Sequence, residues 1–255
     1  MVVAVAPILD RQLMLYKAAA ANEAMPPPSP PTRSQAEVDD SPIKTPRPDV
    51  TIGISHDAIV QILHHTQGLD RIRGSDFLND LQQKTIYREN RRQREPVLCS
   101  EPTQRALQIR LPFLVIEGKS YATGKHIFDA ENQAAVSGAC ALKIQYDLND
   151  LAQRASQSFH CQETTPLSFS ICTQGPFHEL WAHYAIVEDN ARKFHMVPVK
   201  TCRAPILDEV LQWLMCVDNV IKWGAGEFLE GVVEQLGKVA RRAGGASLPL
   251  VPARY

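Results

Sequence analysis

The chain has 255 residues, 44% of them hydrophobic and 22% charged, which is ordinary globular composition and enough length for one well-filled core. Its 27 Lys and Arg against 28 Asp and Glu leave a formal charge of -1, which excludes a chain-wide field drawing it to a polyanion; any nucleic-acid contact has to come from a local patch. Six cysteines with no C-x-x-C pair argue against a disulfide scaffold or a structural zinc site and for a reducing, intracellular setting.

Residues 1–25 open on MVVAVAPILDRQ, which lacks the cationic start and cleavage site of a secretory signal, and then offer one short helix, Leu9 to Ala24. Residues 26–48 are dense in Pro, Ser and charge. They bury too little apolar surface to offset their ordering entropy, and a disordered linker is expected. From 49 to 243 the texture changes to apolar-periodic segments, read as one domain, with 244–255 as a tail. The longest apolar runs, Leu111 to Ile116 and Val2 to Leu9, fall far short of the roughly 20 residues that cross a bilayer, so no membrane contact is expected.

Within the domain, Val50 to Ile54 alternates as a strand, and Ser55 then caps a helix with Ile59, Ile62 and Leu63 on one face. A second helix is predicted after Ser75. The Arg-rich YRENRRQREP follows, and then Leu107 to Glu117, whose apolar, β-branched content predicts the central strand. Pro112 inside that strand removes a ladder donor and predicts an edge, a bulge or a kink. Phe128 to Tyr146 places Ala and Gly at helical spacing, as in a helix lying close on a sheet. Leu167 to Cys172, the turn TQGP and His178 to Val187 predict a hairpin; Phe194 to Thr201 is a further strand. Leu207 to Val239 predicts one or two helices broken near Gly224 and Gly226. This order predicts an α/β fold of the α+β kind, a mixed central β-sheet flanked by helices.

Two short motifs bear on chemistry: Pro48-Asp49 opening the first strand and Glu117-Gly118-Lys119 closing the central one. Residues two apart on a strand share a face, so Glu117 and Lys119 stand side by side where the sheet leaves its core. Buried there unpaired, each would cost several kcal/mol, so each needs a counter-charge, a metal or water. Spacing alone carries little weight, because this composition predicts roughly one D/E-x-K by chance. A plain ion pair at a strand end is the competing reading.

PDVTIGI, LPFLVIEGKSYATGKHIFDAENQAAVSGA and SFSICTQGPFHELWAHY together resemble the fungal PD-(D/E)XK nuclease-like domain, a branch of the restriction-endonuclease-like superfamily, over about residues 48–240. The resemblance implies a restriction-endonuclease-like fold and metal-dependent hydrolysis of phosphodiester bonds in nucleic acid, with DNA the expected substrate. It assigns Asp49 and Glu117 to Mg²⁺ or Mn²⁺, with the Gly118 carbonyl as a further ligand, and Lys119 to assisting the attacking water. Gln133 corresponds to an auxiliary polar residue. Asp49 and Glu117 are 68 positions apart, so an insertion with two helices must separate the motif strands.

Arg88, Arg91, Arg92 and Arg94 are the candidate nucleic-acid-binding cluster, although Glu89 and Glu95 interleave them as on a solvated face. His64, His65, His178 and His183 have no partner at metal-ligand spacing and are read as structural or surface residues. Cys140, among small helix residues, is read as a packed thiol. The alternative to a nuclease is a catalytically inactive module of the same fold that binds nucleic acid or a protein partner; no particular protein partner is indicated.

Overall fold

Asp49 leads directly into β1 (Val50–Ser55), a strand where one was expected, although its burial does not alternate: three half-buried residues lead to a buried Ile54. A computed structural model describes residues 47–87, 94–100, 108–120, 122, 124–156, 165–188 and 191–243. The helix expected at Leu9 to Ala24, the linker up to residue 46 and the tail 244–255 lie outside the described residues, as do Arg88, Arg91 and Arg92. Helix α1 (His56–Gln67) follows Ser55, which holds the N-cap position but makes no side-chain cap hydrogen bond; the helix buries Ile59, Val60 and Leu63 and ends at Gly68, whose φ of 65° is the left-handed conformation that glycine adopts without strain.

Helix α2 (Arg71–Gln83) begins four residues before the expected Ser75. Its cap is Asp70, whose carboxylate accepts from the Arg73 N–H at 2.9 Å and satisfies one of the first-turn donors. A polar first turn and an internal glycine hid this start. Gly74 lies against Val60, with a Cβ there coming to 3.4 Å of the Val60 side chain, so α1 and α2 approach closely at that point. Strands β2 (Thr85–Tyr87) and β3 (Arg94–Pro96) then form a separate antiparallel ribbon that sequence reading did not anticipate.

The main sheet has the order β1-β4-β5-β6-β7. Strand β4 (Ile109–Lys119) pairs antiparallel with β1 and parallel with β5 (Ser168–Gln174); β5, β6 (Phe177–Glu188) and β7 (Ala191–Arg203) continue antiparallel. The sheet is therefore mixed, as expected. Of the options raised by Pro112, the structure takes a bulge: pairing with β1 slips between Ile52 and Ile54, Leu111 has φ 46°, and the β5 ladder starts only at Leu114. Gly53 faces this bulge, where a Cβ would stand 2.8 Å from the Arg110 carbonyl oxygen.

Helix α3 (Ile127–Ala155) makes the crossover from β4 to β5 and extends nine residues past the expected end at Tyr146. It buries Ala130, Ala134, Ser137, Gly138 and Ala141, small residues that let it lie on β4 and β5. The register aligns Glu117 with Cys172 and Cys172 with Glu179, one row of side chains across three strands. That row faces α3, where Ala130 and Ala134 pack on Cys172. Phe169 and His178 alternate to the other face and meet Trp223 and Trp213 of helix α4 (Leu207–Trp223). Helices therefore flank both faces. The break expected near Gly224 is instead a π-helical turn, Gly224–Phe228, carrying the chain on into α5 (Leu229–Ala243), which packs on α3 and α1. Gly224 is required there, since a Cβ would lie 2.2 Å from the Phe113 ring.

Candidate functional site

The β1–β4 register sets Val50 opposite Ile116, which brings Asp49, one residue earlier, to the end of β4 that carries Glu117 to Lys119. The Gly118 N–H donates to the Asp49 Oδ2 at 2.8 Å, across 69 positions of sequence. Glu117 is 1% exposed, so its carboxylate has lost nearly all contact with water. The Ser137 hydroxyl donates to its Oε1 over a long 3.4 Å. Lys119 points to the same side and donates from Nζ to the Gln133 Oε1 at 2.5 Å. Gln133 and Ser137 are four apart on α3 and so share one helix face.

The start of α3 is fixed by the sheet itself. Gln174, paired in register with Lys119, accepts from the Ile127 N–H at 3.1 Å and donates to the Lys125 carbonyl at 2.8 Å. The Asp129 carboxylate accepts from the His126 N–H at 2.8 Å and closes the first turn. Gln133 is thus held relative to Lys119 by a tie one strand away.

Electrostatically the site has an excess of negative charge. Burial raises the Glu117 pKa above the usual carboxylate range, and the nearby Asp49 charge raises it further; Lys119 and the Ser137 hydrogen bond oppose this. Across the row, burial and the neighbouring acids push the Cys172 thiol up to about 12, which rules it out as a nucleophile near neutral pH. Cys140 is also raised by burial, in keeping with a packed thiol.

Asp49, Glu117, Gly118, Lys119 and Gln133 are brought to one place. The contact made by Gly118 there is through its N–H to Asp49. Arg94 opens β3 in the separate ribbon and is exposed, so it does not belong to the sheet that carries the acids. His183 is buried with its Nε2 2.8 Å from the Ser170 Oγ, a structural placement. Sequence reading missed a second carboxyl pair. Glu131 of α3 lies close to Glu179 of β6, and its pKa is raised first by burial and then by the Glu179 carboxylate. Only the strand register, which aligns Glu179 with Cys172 and Glu117, could have revealed it.

A model of a domain of unknown function, DUF7924, matches residues 73–236. The chain belongs to this family. Glu117, Lys119, Gln133 and Ser137 lie inside the DUF7924 stretch, whereas Asp49 and β1 precede it. No curated protein and no solved structure matches the chain. No helix of the described residues is long and apolar enough to cross a membrane.

Proposed function

We propose that this member of the DUF7924 family is a restriction-endonuclease-like domain of the PD-(D/E)XK kind that uses Mg²⁺ or Mn²⁺ to hydrolyse phosphodiester bonds in nucleic acid, DNA being the expected substrate. The observation that carries the reading is the hydrogen bond from the Gly118 N–H to Asp49, which joins two motifs that the chain separates by two helices and a ribbon. An antiparallel β1–β4 pair followed by a parallel β4–α3–β5 crossover supports it, because that arrangement gathers both acids and the lysine at one end of the sheet.

The residues fit a hard divalent cation. Mg²⁺ takes one or two carboxylates and fills its remaining positions with water and substrate phosphate. Asp49 and Glu117, together with the Gly118 carbonyl, would be the protein ligands, since the β1–β4 pairing sets both acids at the same strand end. Burial first, and then the Asp49 charge, penalise the ionised form of Glu117, and a bound cation would offset both. When bound, such an ion polarises the phosphoryl oxygens and acidifies a coordinated water. The Lys119 ammonium, aimed by Gln133, supplies N–H donors that orient the attacking water and stabilise charge growing on the phosphoryl group. The Ser137 hydroxyl adds a weak hydrogen bond to Glu117.

The low carboxylate count and the capture of the Lys119 amine by Gln133 favour a second reading, a catalytically inactive module of this fold that binds nucleic acid or a protein partner. Cleavage of DNA by the purified chain separates the two. The nuclease reading expects nicking or cutting that requires Mg²⁺ or Mn²⁺ and is lost in Lys119→Ala and Glu117→Gln. Equal cleavage by wild type and Lys119→Ala overturns it, and metal-independent DNA binding without cleavage selects the inactive module.

A further inference from the structure

Helix α4 is apolar on both of its sides. Trp213 and Trp223 turn to the sheet, while Leu207, Leu211, Leu214, Met215 and Ile221 stand 69%, 50%, 49%, 67% and 36% exposed on the opposite side. A helix that is hydrophobic all round belongs inside a structure, and in the described residues this one has a single covered face. We propose that α4 joins two copies of this chain, paired antiparallel about a two-fold axis that passes close to Met215.

The spacing supports a helix partner. Leu207, Leu211, Leu214 and Ile221 follow the four-and-three rhythm of a packed helical seam, and Asp218 takes the one step between Leu214 and Ile221. That acid is neutralised within its own helix by Lys222, with Nζ to Oδ2 at 2.5 Å. In the pair Lys222 stands between Asp218 of its own helix and the flank of the other copy, so one ammonium serves both acids.

The charges select the second copy and its direction. Asp208, Met215 and Lys222 follow one another at seven-residue steps along one flank of the seam, in the order negative, apolar, positive. This pattern reads the same after a two-fold rotation. Antiparallel pairing sets Asp208 of each copy against Lys222 of the other and Met215 against Met215, whereas parallel pairing would set this flank against the one carrying Val210 and Val217 and leave its charges without partners. The helix macrodipoles also oppose favourably in the antiparallel arrangement. A two-fold contact requires such self-complementarity from a single patch.

The apolar area supplies over half of what a two-fold contact of ordinary size needs. With about 150–200 Å² for a fully exposed large side chain, the five exposures amount to on the order of 500 Å² of apolar surface per copy, at the top of what a typical monomer leaves open. The flanking polar groups bring this toward the roughly 800 Å² per partner of a standard interface. The contact is independent of whether Asp49 and Glu117 hold a metal.

Analytical ultracentrifugation of the full chain at micromolar concentration tests the proposal. The expected mass is twice that of the chain. The double variant Leu211→Glu, Leu214→Glu is expected to sediment as a monomer with unchanged far-UV circular dichroism, both side chains being half exposed in the monomer. Under mild oxidation Met215→Cys is expected to give a disulfide-linked dimer above the background of the native cysteines. A monomeric wild type overturns the proposal. A double variant that stays dimeric, or a dimer in which Met215→Cys does not cross-link, overturns it equally.

Discussion

His183 and Gly138 show how one residue depends on another in this core. The imidazole lies directly over Gly138, where an added Cβ would meet its Nδ1 at 2.3 Å, so any larger residue must displace either the ring or the helix. Gly138→Ala is expected to cost roughly 1–3 kcal/mol of stability, read as a lower urea midpoint with unchanged slope. Burial holds the His183 pKa down at about 4, against an unfolded value near 6.5. The folded state therefore resists protonation that the unfolded chain accepts. The contribution is complete above pH 6.5 and is lost as the pH falls toward 4, on the order of 3 kcal/mol in all. Urea denaturation across that range is expected to show the decline, and His183→Gln to flatten it. Glu117 runs in the opposite sense: with its folded pKa raised, it contributes stability in acid that is lost as pH rises through that value. On the nuclease reading, affinity for Mg²⁺ should strengthen over the same rise, because the cation needs the ionised carboxylate; isothermal titration at several pH values measures it.

At the scale of elements, the bulge between β1 and β4 is the joint on which the site depends. Gly53 faces the Arg110 carbonyl so closely that Gly53→Ala must open the pairing. The expected result is a loss of roughly 1–3 kcal/mol, by overpacking, together with weaker retention of Asp49 beside Gly118, seen as faster amide exchange along Val50–Ser55. Elements with strong periodicity were legible in the sequence: β1, β4, the β5–β6 hairpin and the small-residue face of α3 stand where Val, Ile, Phe and Ala spacing put them. The start of α2 was not, because RIRG carries little apolar signal and the capping carboxylate of Asp70 looked like part of a polar loop. The β2–β3 ribbon was hidden for a similar reason, since three-residue strands are too short to show a period. The continuity of α4 into α5 was obscured by Gly224 and Gly226, which read as breakers. In the fold, Gly224 is there to admit the Phe113 ring.

At the scale of the whole molecule, the adjacency of Asp49 and Gly118 arises from closing a long loop, and no local pattern reports such a closure. The E-x-K spacing was readable because a strand sets it. The pairing of Glu131 with Glu179 was not, because it depends on the register of strands that lie apart in sequence. The same holds for the exposed side of α4, which sequence periodicity alone would assign to a core. The hydrogen bond from Gly118 to Asp49 also offers a spectroscopic handle. That proton reports the state of a carboxylate on the neighbouring strand, so on the nuclease reading the nitrogen-15 resonance of this single glycine should move when magnesium is titrated in, with no nucleic acid present. In Asp49→Asn, with the acceptor made neutral, the displacement should shrink, turning one amide into a gauge of site assembly that needs no substrate.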